Sequence, residues 1–187
     1  MKRLFIAIKI LDSQELKSQI DFITKSLNDE RIKWVEIWNL HLTLIFLGDT
    51  EEEKLNDIKV AINSMTALFT QFQLVIKSAG GFKDLENPTV IWLGIEQNQT
   101  LEEIKKVLDD NLNRKGISLD SKKFRPHLTI GRTKLIKDKL NLKNIVGNLQ
   151  GKEISSQQVD NIILYESTLT QNGPVYRAIH VSPLKSI

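Results

Sequence analysis

The sequence predicts an α+β fold made of two similar halves. The tripeptide His-Leu-Thr occurs twice, at His41 to Thr43 and at His127 to Thr129, about half of the 187-residue chain apart. Each copy also lies near an amphipathic helix pattern that opens with a capping box, so that strand and helix patterns alternate along the chain. We therefore expect an internal duplication, with one His-Leu-Thr strand in each half.

The first half predicts two strands, each followed by a helix. Apolar residues indicate a buried strand from Leu4 to Ile10 and a second strand from Leu40 to Leu47, which ends at Gly48. A capping box pairs an N-cap side chain with a glutamate three residues later. Asp12 and Glu15 form the first box, and the helix that it opens has the apolar face Leu16, Ile20, Ile23 and Leu27. Thr50 and Glu53 form the second box, and the apolar face of its helix is Leu55, Ile58, Ile62 and Met65.

The second half continues with two strands and a third helix. Phe72 to Lys77 and Thr89 to Ile95 predict strands joined through the turn signals Gly80-Gly81 and Asn87-Pro88. Thr100 and Glu103 form a third capping box. The helix that it opens has Leu101, Ile104, Leu108 and Leu112 on its inner face and Gly116 at its end.

The remaining segments predict mostly strands. The second His-Leu-Thr strand runs from about Phe124 to Gly131, and Leu135 to Gln150 predicts a loop or a short helix. Near the end, Val159 to Thr168 and Val175 to Val181 predict two strands that form a hairpin through Gln171-Asn172-Gly173-Pro174.

Composition limits the classes of function. The net charge is +3 and the pI is near 9.0, which is too mild a basic excess for a nucleic-acid-coating tail but allows a basic cleft. The chain has no cysteine, which excludes disulfides, thiolate metal sites and cysteine nucleophiles and fits the cytoplasm. No apolar run approaches the roughly 20 residues that span a bilayer. We expect a cytoplasmic monomer without a membrane partner.

The repeated tripeptide predicts a two-histidine reaction centre. In a strand, the side chains at i and i+2 share a face, so His41 and Thr43 point one way, as do His127 and Thr129, while the leucines face the core. At neutral pH one imidazole can accept a proton while the other donates one. Such a pair can activate water and protonate a leaving oxygen in phosphodiester hydrolysis, while the threonine hydroxyls bind the phosphate oxygens.

Arg132 is a candidate phosphate ligand that follows the second motif. Strict alternation places it on the face opposite His127, whereas a bulge, which a glycine at position 131 permits, would return it to the same face. Phe46 and Trp92 are predicted core residues, Trp34 is a candidate for stacking on a base, and His180 is interpreted as a packing residue.

Two other interpretations of the repeated motif stay open. The tripeptides could be ordinary strand residues, or the two histidines could ligate zinc. The second is weakened because the partners at i+2 are threonines and because no HxH or HExxH spacing occurs. We therefore predict a site without a metal ion or other cofactor.

Five segments together resemble a known family. They are RLFIAI, WVEIWNLHLTLIFLG, GGF followed by NPTVIWLGI, FRPHLTIGR, and LYESTLTQNGPVYRAIHVSPL. In this order they resemble the 2H phosphoesterase superfamily, named for its two HxT motifs, and specifically bacterial and archaeal RNA 2′,3′-cyclic phosphodiesterases, historically called 2′-5′ RNA ligases. A departure is WVEIWN, where relatives commonly carry a proline-containing segment before Asn39.

The resemblance implies a fold and a mechanism. The fold is a single two-lobed domain over residues 1–187, with pseudo-twofold symmetry, antiparallel sheets lining a central cleft and helices on the outside. The partner is RNA with a 2′,3′-cyclic phosphate end. By motif, His41 would donate a proton to the leaving 3′ oxygen and His127 would activate water, giving a 2′-phosphomonoester. Thr43 and Thr129 would hold the phosphate, and Arg132 resembles a basic residue that often follows the second motif.

Two alternatives use the same cleft. One is a noncatalytic module that binds phosphorylated RNA ends. The other is an enzyme acting on 2′-5′-linked oligonucleotides, as a ligase or a phosphodiesterase, or on a small cyclic nucleotide.

Overall fold

The computed structural model describes residues 1–119, 123–171 and 173–186. Within these residues the chain forms nine strands and four α-helices. In chain order they are β1 (Lys2–Lys9), α1 (Gln14–Ser26), β2 (Arg31–Trp34), β3 (His41–Thr50), α2 (Leu55–Thr66), β4 (Phe72–Phe82), β5 (Val90–Ile95), α3 (Gln99–Arg114), β6 (His127–Leu135), α4 (Lys139–Asn148), β7 (Glu153–Val159), β8 (Asn161–Thr170) and β9 (Gly173–Pro183).

The strands form two antiparallel sheets with helices on the outside. The first sheet has the order β3-β1-β8-β9 and the second has the order β2-β6-β5-β4-β7. Helix α2 packs against β8, β9 and α3, while α1 packs against β7 and α4 against β4. The predicted α+β class is confirmed. None of the helices in the described ranges is long and apolar enough to cross a bilayer.

The two lobes are not the two halves of the chain. The first sheet takes β8 and β9 from the end of the sequence, and the second takes β2 from its beginning. The equivalent four-strand sets are therefore β3-β1-β8-β9 and β6-β5-β4-β7, in which β3 and β6 carry the two His-Leu-Thr motifs. Because the chain crosses between sheets, one continuous apolar core holds the lobes together.

The predicted apolar helix faces are confirmed, but the predicted caps are wrong. The Ser13 hydroxyl, not Asp12, accepts the Leu16 N–H at the start of α1, and the Asn98 side chain, not Thr100, accepts the Leu101 N–H at the start of α3. Thr50 ends β3, and a 3-10 turn separates it from α2. At α1 and α3 a neighbouring polar residue takes the N-cap position, which sequence spacing alone does not resolve, whereas α2 has Lys54 at its N-cap and no side-chain cap.

Several other strand and helix assignments differ in part from the prediction. The predicted hairpin is present as β8 and β9, although Asn172 of its predicted turn lies outside the described residues. The ambiguous segment from residue 135 forms α4, with Asp138 as its N-cap. The short strand β2 and the polar strand β7 were not predicted, because neither carries a clear apolar alternation.

A hydrogen-bond network that is buried at Thr66 and Ser182 joins α2 to β9. The Ser182 hydroxyl and the His180 Nε2–H both donate to Asn63 Oδ1, each at 2.7 Å, and the hydroxyls of Thr66 and Ser182 are 2.7 Å apart. Thr66 and Ser182 are both buried. His180 thus serves packing between a helix and a strand, as interpreted from the sequence.

Replacing Ser182 by Ala should destabilise the fold. The change removes the side-chain partner of the buried Thr66 hydroxyl and one donor to Asn63, and we expect the free energy of unfolding to fall by about 1 kcal/mol in urea denaturation. Ser156→Ala, an exposed serine on β7, is the matched control and should change it by less than about 0.5 kcal/mol. Equal effects of the two variants would contradict the role assigned to the network.

Candidate active site

The two His-Leu-Thr motifs begin β3 and β6 and have the same burial pattern. In each motif the histidine and the threonine are half-buried, whereas Leu42 and Leu128 are fully buried. This is the alternation predicted from the sequence, and it directs both histidines and both threonines away from the apolar core. The two strands approach each other across the cleft between the sheets.

Both strands carry a bulge directly after the motif. In β3, Ala7 pairs with Thr43 and Ile6 with Ile45, so Leu44 is the extra residue. In β6, Trp92 pairs with Thr129 and Ile91 with Gly131, so Ile130 is the extra residue. In each strand the two residues after threonine are consequently both buried, and the alternation restarts in the opposite phase.

The bulges place Phe46 and Arg132 at equivalent positions on the cleft side. Phe46 was predicted in the core from strict alternation, and this is wrong: it is 65% exposed and lies beside Phe5. The bulge before Arg132 is present, so its side chain leaves β6 on the same face as His127. The positive charge of Arg132 acts on both His41 and His127.

Gly131 allows the second bulge to pack against β2. A Cβ at this position would lie 2.7 Å from Ile32 Cγ2 and 2.9 Å from Trp34 Cε3, closer than side chains tolerate. Trp34, the tryptophan proposed from sequence as a stacking residue, is instead half-buried against this glycine. Its ring covers the strand that carries Arg132.

Aromatic rings enclose the two imidazoles unequally. His41 lies between Phe5, at a ring-centroid distance of 4.8 Å, and Tyr176, at 5.1 Å. His127 meets the ring of Phe82 edge-on at 4.5 Å. The sequence did not single out these neighbours, because strands distant along the chain bring them to the histidines.

Trp92 also differs from its predicted place in the core. It is half-buried and pairs with Thr129, and paired residues of neighbouring strands share a face, so its ring lies on the cleft side of the second sheet. Its ring contacts Phe82 at a centroid distance of 5.8 Å. The side-chain Nε1 is buried and has no hydrogen-bond partner within the described part of the chain.

Both imidazoles are oriented by the same backbone hydrogen bond. The Nδ1 atom of His41 lies 2.7 Å from the carbonyl oxygen of Asn39, and that of His127 lies 2.6 Å from the carbonyl oxygen of Arg125. Because a carbonyl only accepts, Nδ1 carries the proton in each ring. The Nε2 atoms are then left to accept a proton when neutral and to donate one when charged. His180, in contrast, uses its Nε2 on Asn63.

Burial lowers the pKa of both histidines below the ordinary value. Desolvation is the largest cause for each ring, and the backbone carbonyl at Nδ1 opposes it. The positive charge of Arg132 lowers both pKa values further, and for His41 the charge of His127 adds to this effect.

The arrangement suits a small oxyanion. Two imidazoles, two hydroxyls and a guanidinium converge on one cleft, and they supply proton transfer together with donors for negative oxygen. Within residues 1–119, 123–171 and 173–186, no three histidine or carboxylate side chains cluster as metal ligands. Asp49, the carboxylate near the end of the strand that carries the first motif, is exposed and lies opposite Arg3 of β1 in the strand register.

Comparisons with known proteins agree with this geometry. The sequence model of the 2′-5′ RNA ligase superfamily matches residues 12–168. An RNA 2′,3′-cyclic phosphodiesterase of Thermotoga maritima is 34% identical, with 95% of this chain and 93% of that protein covered, and one of Methanocaldococcus jannaschii is 36% identical, with 95% and 98% covered. Among solved structures, a Thermus thermophilus protein gives a TM-score of 0.81 at 22% identity, and E. coli LigT complexed with 3′-AMP gives 0.78 at 26%, each with 98% of both chains covered.

Replacing Arg132 by Met should raise the pKa of both His41 and His127. Removing the cation favours the protonated imidazole, and NMR titration of the ring Cε1–H signals measures the shift. His180 is an internal control, because burial and the charge of Lys59 lower its pKa and Arg132 has no part in this. Unchanged titration of His41 and His127 in Arg132→Met would contradict the placement of the guanidinium.

Proposed function

This chain belongs to the 2′-5′ RNA ligase superfamily, and we propose that it hydrolyses the 2′,3′-cyclic phosphodiester at an RNA end to a 2′-phosphomonoester without a metal ion. The observation that carries the proposal is the pair of imidazoles on β3 and β6, each held through Nδ1 by a backbone carbonyl, beside Arg132. The curated relatives bear the name RNA 2′,3′-cyclic phosphodiesterase, and a solved neighbour holds 3′-AMP. Both facts support a nucleotide phosphate as the ligand of this cleft.

The reaction is an in-line displacement at phosphorus. Neutral His127 takes a proton from water through Nε2, and the water oxygen forms a bond to phosphorus. The bond from phosphorus to the 3′ oxygen breaks on the opposite side, and this oxygen takes the Nε2 proton of His41. Thr43, Thr129 and Arg132 stabilise the negative charge on the non-bridging oxygens.

The surroundings of the two histidines fit these roles. His41 is enclosed between Phe5 and Tyr176, whereas the described contact of His127 with an aromatic ring is with Phe82 alone. The less enclosed imidazole is the better placed to receive water. The lowered pKa of His127 keeps it neutral, as a base requires. A bound phosphodiester anion raises the pKa of His41 and favours the protonated ring that an acid requires.

A 2′,3′-cyclic-phosphate oligonucleotide should be hydrolysed in the presence of EDTA. We expect a product whose phosphate is on the 2′ oxygen, identified by phosphorus NMR and by comparison with synthetic 2′- and 3′-phosphate standards. Loss of turnover in EDTA would exclude a metal-independent mechanism. A 3′-phosphate product would reverse the assignment of leaving group, and binding without turnover would favour a noncatalytic module.

Replacing His41 or His127 by Ala should lower kcat by about 100- to 10,000-fold, the range for a positioned acid or base. The control is His180→Gln, because this third histidine contacts α2 and lies outside the cleft. It should retain kcat at a temperature where the protein is folded. A single variant at position 41 or 127 with wild-type turnover would remove that residue from the mechanism.

A further inference from the structure

A pocket of about 300 Å³ opens beside His41 on the cleft side of the first sheet. Its walls include Phe5, Lys9, Trp38, His41, Tyr165 and Tyr176. We propose that this pocket, here called the base pocket, binds the nucleobase of the terminal nucleotide, with Trp38 as the stacking residue. The inference rests on the proposed function and extends it to the part of the substrate that does not react.

The stereochemistry of the reaction places the terminal nucleoside on the His41 side. In an in-line displacement the attacking water and the leaving 3′ oxygen lie on opposite sides of phosphorus. The 3′ oxygen belongs to the same ribose as the 2′ oxygen that keeps the phosphate. The ribose therefore lies toward the histidine that protonates the 3′ oxygen, and its base reaches the surface next to that histidine. The base pocket occupies this position.

The chemistry of the walls suits a flat aromatic ligand. Phe5 and Tyr165 stack with a centroid distance of 5.1 Å and an interplanar angle of 16°, and Tyr176 meets Phe5 edge-on at 5.0 Å. Trp38, at the rim, is 71% exposed. An indole ring that exposed has a free face on which a base can stack. A volume of about 300 Å³ lies at the lower end of the range for small-molecule pockets.

Hydrogen bonds hold Trp38 close to the reaction centre. It lies in the 3-10 turn Ile37–Asn39, and the next residue supplies the carbonyl oxygen that orients His41. The Asn39 side chain also donates to the carbonyl oxygen of Pro174 at 3.4 Å, which ties this turn to the hairpin that carries Tyr176.

Charge distinguishes a nucleotide from an uncharged aromatic occupant. The exposed Lys9 pairs with His41 across β1 and β3 and lines the base pocket. Burial raises the pKa of Tyr176, and the charges of Arg132 and Arg3 oppose this. A ligand that combines an aromatic ring with phosphate groups matches an aromatic pocket surrounded by cations.

Kinetics on substrates with and without a nucleobase test the inference. Adenosine and uridine 2′,3′-cyclic phosphates are compared with base-free ribose 2′,3′-cyclic phosphate for the wild type, Trp38→Ala and Trp38→Phe. We expect Trp38→Ala to lower kcat/KM about 10- to 100-fold for the nucleosides and to leave it unchanged for the base-free ester. Trp38→Phe should keep most of the activity because it retains a ring.

Phe22→Ala is the matched control, because Phe22 is a half-exposed aromatic residue on α1, which packs against β7 of the second sheet, and it does not line the base pocket. It should leave all three substrates unaffected. An unchanged kcat/KM in Trp38→Ala would overturn the inference. An equal loss with the base-free ester would also overturn it, since it would show that Trp38 merely supports the fold of the turn.

A binding measurement separates this inference from the proposed function. Titration with 2′-AMP should quench the tryptophan fluorescence of the wild type, and the quenching should be largely lost in Trp38→Phe, which retains Trp34 and Trp92. Quenching of equal size in both proteins would overturn the base pocket even if hydrolysis is observed. Trp38-dependent quenching by a protein that hydrolyses none of the three esters would sustain the pocket and refute the proposed reaction.

Discussion

The structure depends on the alternation of side chains along β3 and β6. In each strand the leucine of the motif is locked into the core, and this fixes the histidine and the threonine on the opposite face. One extra residue then reverses the phase, so the next cleft-facing positions are Phe46 and Arg132. Without the bulges these two side chains would point toward the helices. The buried leucines of the two motifs and the bulge that follows each motif thus determine which side chains face the cleft.

The two backbone carbonyls that accept from Nδ1 fix the tautomer of each imidazole. A neutral imidazole has two tautomers, and a hydrogen bond to a carbonyl selects the one whose Nε2 is unprotonated. Because each carbonyl comes from the residue two positions before the histidine, the motif and the residues preceding it set the tautomer locally. Burial then lowers both pKa values without altering the orientation.

The sequence predicted features that depend on local periodicity and missed those that depend on register. The helix faces were predicted because burial at a 3.6-residue spacing is visible in one segment, as with Leu101 and Leu108. Phe46 was misplaced because a bulge leaves no periodic signal in an apolar strand. Tyr176 and Phe82 were not identified as neighbours of the histidines, since strand pairing between distant segments brings them there. The motif itself was recognisable because it occurs twice.

The proposed division of roles into an acid and a base depends on a symmetric scaffold with asymmetric side chains. Two histidines in identical surroundings would have equal proton affinities, and neither would be favoured as the acid or as the base. Here the equivalent positions hold an arginine and a phenylalanine, and aromatic rings enclose His41 on two sides. The charge of one imidazole also lowers the pKa of the other, so a second proton is disfavoured once the first is bound. A phosphate anion strengthens the binding of the first proton. The singly protonated pair, which is the form that the proposed in-line hydrolysis requires, is therefore the form that we expect when a phosphodiester occupies the cleft.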